Sequence, residues 1–176
     1  MKALIRIVFP VLLVSAIAFA QNTPTAEREL SGSPLVPNPS FDKIKALAGH
    51  WEGTALGHKT IADYQVMSAG SIVILNMPGD KPGNEMITVF HTDNEKLMVT
   101  HYCSAKNQPR MRMVPGSDPN VIKFEFFDAT NLPSAKTPHM VGLTIKILDK
   151  DHHIQTWKFD DGGKTLSEDF DYHRKT

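Results

Sequence analysis

A single cysteine, Cys103, stands in a chain of 176 residues. An intramolecular disulfide is therefore excluded, and the fold must be held by packing even in an oxidising compartment. Neither sign of charge is in excess, since 19 Lys and Arg balance 19 Asp and Glu. So even a balance argues against a nucleic-acid partner, because phosphate backbones need a basic patch. Past the first twenty residues no apolar run is long enough to span a bilayer, so no membrane insertion is expected of the rest. Several motif spacings are missing as well. There is no C-x-x-C, H-x-x-x-H, H-E-x-x-H or G-x-S-x-G, and no phosphate loop that follows a strand and opens a helix. The chain has no internal repeat and no sustained helical heptad.

What is present begins with a leader. Lys2 and Arg6 precede a nearly unbroken apolar stretch from Ile7 to Phe19, and Ala18-Phe19-Ala20 forms a small-x-small cleavage site. This pattern predicts a signal peptide over residues 1–20, cleaved after Ala20, and a periplasmic or secreted location. The shortness of the run and the interruption at Pro10 argue against a retained anchor. Residues 21–39 carry Pro24, Pro34, Pro37 and Pro39 among small and polar residues. With so little apolar surface to bury, they read as a flexible tether. The remainder, residues 40–176, is long enough for one domain with its own core.

Within that domain, Phe41, Ile44 and Leu47 recur at intervals of three, predicting a short helix over Ser40 to Ala48. Ser40 is the candidate cap and Gly49 the candidate stop. From Trp51 onward the apolar period is two. Strands are predicted near 50–57, 61–68, 70–77, 85–91, 96–103, 108–114, 120–127, 139–148, 152–159 and 164–173. Turn residues separate them, among them Pro78-Gly79-Asp80, Asp93-Asn94, Lys106-Asn107 and Asp160-Asp161-Gly162-Gly163. About ten short strands joined by tight turns make an antiparallel meander. Closing it removes two exposed edges, so the expected fold is all-β, a closed up-and-down barrel with a short N-terminal helix, with an open sandwich as the alternative. The longest gap, Asp128 to Pro138, reads as a lid or rim loop.

A short helix followed by Leu47-Ala48-Gly49-His50-Trp51-Glu52-Gly53 and a meander resembles the calycin superfamily, which includes lipocalins, fatty-acid-binding proteins and nitrobindin-like haem barrels. The resemblance implies that Trp51 closes the barrel base beneath the helix, and Arg174 falls where its basic partner would sit; a guanidinium over an indole is favourable. It also raises haem as a cofactor, with His173 and His139 as candidate ligands, although nothing flanking them is diagnostic. The segments Glu85 to His91, Thr100 to Cys103, Asn107 to Met111 and Asp128 to Leu132 resemble a family of uncharacterised bacterial exported proteins. That likeness implies fold and compartment but no chemistry.

The strands near 85–91 and 96–103 hold the candidate site. A turn at Asp93-Asn94 would pair His91 with Lys96, and Met86 with His101. One face then carries Met86, Thr88, Phe90, Leu97, Val99, His101 and Cys103. Continuing through a turn at Lys106-Asn107 adds Gln108, Arg110 and Arg112 to that face, and puts Met111 and Met113 on the other. Both faces are rich in apolar groups, so alternation leaves the choice of interior open. If the polar cluster points inward, His101, Gln108, Arg110 and Arg112 converge on a cavity lined by Phe90, Val99 and Phe124, and the arginines suit a ligand carboxylate. If it points outward, the arginines are solvated and the methionines fill the core.

A metal site is not expected. His91 and His101 lie about 16 Å apart in this register, and the adjacent His152 and His153 point to opposite sides of a strand. Enzymatic readings are thin. Cys103 beside His101 suggests a thiolate nucleophile, yet a lone cysteine is more often buried and inert. Glu85, Glu125 and Glu168 are isolated acids, and the run Glu168-Asp169-Phe170-Asp171 alternates a solvated face with a packed one. The expected function, by analogy of fold, is binding of a small apolar or amphipathic molecule outside the cytoplasm. An enzyme using the same cavity, or a protein-interaction barrel without a ligand, are the alternatives.

Overall fold

The computed structural model describes residues 32–176. The expected signal peptide and the tether up to residue 31 lie outside the described residues. Residues 34–176 form one compact unit.

The unit opens with helix α1, Pro39–Ala46. Its cap is Asn38, not Ser40: the Asn38 side chain accepts a 2.9 Å hydrogen bond from the Phe41 backbone N–H. Pro39 sits in the first turn, where its missing N–H costs nothing. The helix buries Phe41 and Ile44, with Leu47 buried at its C-terminal cap. Gly49 does not stop the helix. It already belongs to the first strand, where it takes a left-handed φ of +132°.

Ten strands follow: β1 Gly49–Ala55, β2 His58–Met67, β3 Ile72–Met77, β4 Met86–Asp93, β5 Lys96–Tyr102, β6 Gln108–Val114, β7 Val121–Thr130, β8 His139–Asp149, β9 His152–Asp161 and β10 Lys164–Lys175. Each pairs antiparallel with its sequence neighbours, and β1 pairs with β10, closing the sheet into an up-and-down barrel. Among the described residues no sheet edge is left unpaired, which is the physical gain of closure. Side chains alternate as the pleat demands. Val73, Leu75 and Met77 of β3, Phe90 of β4, Leu97 and Val99 of β5, and Leu143 and Ile145 of β8 are buried in one cluster. At the seam, Gly53 has no substitute: a Cβ there would lie 2.0 Å from the Asp171 carbonyl oxygen.

Two loop lengths decide which side chains reach the interior. Between β4 and β5, Asp93 pairs with Lys96, so the loop is Asn94-Glu95, with Asn94 at φ +54°. Thr88, rather than Met86, faces His101. This differs from a turn at Asp93-Asn94 by two residues, and an even slip keeps every side chain on its face. Between β5 and β6 the difference is odd. Lys106 N–H donates to the Cys103 carbonyl at 2.9 Å and Cys103 N–H to the Asn107 carbonyl at 3.1 Å, with Lys106 at φ +66°. That is a three-residue loop ending in a left-handed residue, not the two-residue turn expected at Lys106-Asn107. Val99 therefore pairs with Met111, and Thr100 with Arg110. An odd loop turns the whole of β6 over, so Met111 is buried in the core while Gln108, Arg110 and Arg112 sit on the outer wall.

Candidate functional site

The barrel has two unlike ends. Helix α1 closes one of them. Trp51 donates its indole N–H to the Leu47 carbonyl at 2.7 Å. The Arg174 guanidinium lies over the Trp51 ring, 4.2 Å from the centroid. Arg174 also donates to the Ala48 carbonyl at 2.7 Å and to the Ala46 carbonyl at 3.0 Å. One cation thus covers the indole and satisfies carbonyls at the helix C-terminus, where the backbone dipole favours positive charge.

The other end carries the β1–β2, β3–β4, β5–β6, β7–β8 and β9–β10 loops. It opens into a cavity of about 670 Å³ whose walls include Leu56, Met86, Cys103, Trp157, Glu168 and Phe170. A neighbouring hollow of about 480 Å³ shares Leu56, Met86, Glu168 and Phe170 and reaches Met77. Strand β10 supplies the polar group. Glu168, Phe170 and Tyr172 alternate along its inner face, and Glu168 pairs with Trp157 of β9. Burial pushes the Glu168 carboxyl above its ordinary value. The Asp128 to Pro138 stretch is a rim segment: β7 runs on to Thr130, and the residues after it are tied to the β5–β6 loop. Asn107 donates to the Pro138 carbonyl at 2.9 Å, and Asn131 donates to the Lys106 carbonyl.

A polar row links the two ends through the interior. Strand β9 points His153, Gln155 and Trp157 inward, all buried. Tyr64 hydroxyl meets His153 Nε2 at 3.1 Å and accepts from Gln155 at 2.6 Å. Trp157 N–H donates to Gln155 at 2.8 Å. Beyond Trp157, at 4.7 Å between ring centroids, lies His101. Its Nδ1 meets Thr88 Oγ1 at 2.8 Å, while Nε2 is buried without a partner. Burial lowers the His101 pKa to about 4. Burial, aided by the Arg174 charge, lowers that of His153 to about 3. Both rings are neutral at neutral pH.

The site residues expected from the sequence divide accordingly between interior and wall. Phe90, Val99 and Phe124 are buried core, with the Phe90 and Phe124 rings 5.8 Å apart. They lie among the packed residues rather than along the open cavity. His101 is also fully buried, one ring below the mouth, against Trp157. The three polar residues of β6 do not join it. Arg110 makes a two-pronged ion pair with Asp128, with Nε donating at 2.5 Å. Arg112 lies over the Phe127 ring at 3.2 Å from its centroid. Gln108 accepts from the Thr130 hydroxyl at 2.6 Å. An inward arginine cluster for a ligand carboxylate is thus ruled out by the three-residue β5–β6 loop. His173 stands exposed on the outer wall, and His139 is buried against Phe126 with Nδ1 2.7 Å from the Thr137 carbonyl. Sequence reasoning does not single out the mouth residues Trp157, Glu168 and Phe170 as binding residues. Their signal is the packed-and-solvated alternation of residues 168–171, with Glu168 in phase with Phe170.

No family model matches this chain, and no curated protein matches it. Among solved structures it is similar to a redesigned β-barrel, with a TM-score of 0.34 and 10% identity, over 76% of this chain and 95% of that one. A likeness so loose says nothing about what the mouth accommodates.

Proposed function

We propose that the barrel is a calycin-like binding protein, working outside the cytoplasm, that takes a small amphipathic molecule into its open end. The observation that carries this reading is the pairing of an apolar cavity of about 670 Å³ with one inward carboxyl, Glu168. A cavity in this size range with mainly apolar walls and few polar groups is the usual composition of a ligand site. Ten strands also enclose more room than eight, and eight already suffice to hold one small ligand. In this barrel the helix-capped half is filled by Ile44, Trp51 and Tyr172, leaving the room at the opposite mouth.

The polar group selects the ligand. A carboxylate would meet Glu168 with no basic residue along the cavity wall to offset it. An amine or hydroxyl on an apolar body can donate to Glu168 and lay its hydrocarbon against Trp157, Met86 and Phe170. Catalysis is supported less well. Burial pushes the Cys103 thiol up, away from the thiolate that nucleophilic attack requires. A protein-interaction role without a ligand would leave the mouth unexplained.

The test is displacement of a neutral fluorescent naphthylamine from the purified protein by alkyl chains of equal length ending in an amine or a carboxylate. The amine should compete better, and Glu168→Gln should abolish that preference. Phe170→Ala should weaken probe binding about tenfold, the value of a large part of one apolar ring. A probe that does not bind, or binds equally well to Phe170→Ala, overturns the reading.

A further inference from the structure

The register between β9 and β10 places His152 directly opposite His173, with Asp171 two residues before His173 on the same outer face. We propose that these three side chains form a binding site for a divalent transition metal of the zinc, nickel or copper type on the outer wall of the barrel. The site is independent of the mouth and of any ligand there.

The geometry is convergent. His152 Nε2 lies 2.7 Å from Asp171 Oδ1, and His173 Nε2 lies 3.5 Å from the same oxygen. One donor atom from each residue falls within 4.8 Å of the other two. Donors around a tetrahedral ion with bonds of about 2.0–2.1 Å sit roughly 3.3 Å apart, so side-chain rotation alone closes the set. The backbone is already in place, because a paired sheet holds an i, i+2 couple and its cross-strand partner on one face.

The two imidazoles are stacked, 4.1 Å between centroids and 24° between planes. Two nitrogens and one carboxylate oxygen form a donor set for borderline metals rather than for calcium or magnesium, which require more oxygens. Three protein donors leave the fourth tetrahedral position to water or to a group from another molecule. Competing contacts are few. Glu52 of β1 lies opposite His173 in register, but its carboxylate faces Lys175 at 3.6 Å and His50 at 3.8 Å.

Calorimetric titration of the chelator-treated protein with zinc and then nickel, near neutral pH, tests the proposal. One ion per chain should bind. His173→Ala and Asp171→Asn should each weaken binding at least tenfold, while His58→Ala, a distant exposed histidine, should leave it unchanged. His173 is exposed, so its variant should keep the far-ultraviolet circular dichroism and melting temperature of the metal-free parent. A visible spectrum of the cobalt form gives a second readout, with tetrahedral bands expected in the parent and lost in the variants. No binding by the parent, or undiminished binding by both His173→Ala and Asp171→Asn, overturns the site.

Discussion

The helix-capped end and the open end of this barrel are built from the same kind of strand, yet they use their side chains differently. At the capped end two large polar side chains are anchored on the protein's own backbone: Trp51 N–H reaches Leu47, and Arg174 reaches Ala46 and Ala48. At the open end the inward carboxyl, Glu168, has no partner of that kind and lines a cavity. On the proposed reading, stability and ligand binding therefore lie at opposite ends. The capped end is a finished core, and the open end leaves contacts unmade that a ligand can complete. That is the usual division between the stable and the binding parts of a domain.

Acid is the strongest probe of this contrast. His101 and His153 have folded-state pKa values of about 4 and about 3, below the ordinary value of 6.5. A histidine with a lowered folded pKa leaves stability intact above pH 6.5. Below it, protons bind the unfolded chain first, and stability falls until the folded pKa is reached. At about 1.4 kcal/mol per unit, the pair should withdraw up to about 8 kcal/mol between pH 6.5 and pH 3, a large share of a domain's stability. Urea unfolding followed against pH measures this. His153→Gln, at the capped end, should flatten the profile more than His101→Gln does.

Next comes Trp51→Ala, which should cost about 3–5 kcal/mol by denaturant unfolding, since a fully buried indole leaves a cavity. The matching cut at the mouth, Phe170→Ala, should cost under about 2 kcal/mol and act mainly on ligand affinity, because that ring is only partly buried. Equal losses at the two ends would erase the distinction between them. Arg174→Leu should cost about 1–3 kcal/mol by the same measurement, through the lost cation–π contact and three unfilled carbonyls, those of Ala46, Ala48 and Lys150. Asn38→Ala, which removes one capping bond, should cost about 1 kcal/mol.

Much of the scaffold is legible along the chain, for a local reason. An alternation of two is imposed by each strand on itself, so all ten strands can be located without knowing their neighbours. The turn chemistry between them points to antiparallel pairing, and ten strands in sequence close most simply on themselves. The helix stripe of Phe41, Ile44 and Leu47 is legible on the same grounds. Its start is two residues earlier than Ser40 suggests, because Asn38 and Ser40 are both good caps and only Asn38 reaches the Phe41 N–H.

The site is less legible because it depends on parity. Gln108, Arg110 and Arg112 share one face of β6 on any reading. Whether that face is His101's depends on an odd or even loop, and Lys106 in the left-handed region makes it odd. The histidine pair on the outer wall is hidden likewise. His152-His153 looks like two rings on opposite sides of one strand. The cross-strand partner His173 emerges only when Gly162 and Gly163 are taken as a two-residue loop pairing Asp161 with Lys164.

The class of fold, the approximate position of every strand and the apolar stripe of the helix are written in the chain alone. They follow from interactions between residues close in sequence, where side-chain period and turn propensity act directly. Folding in three dimensions settled the remainder: which face is interior, which strand meets which at the seam, and which carboxyl and which histidines come together. Those depend on loop parity and on closure of β1 against β10, where one residue more or fewer exchanges inside for outside along a whole strand.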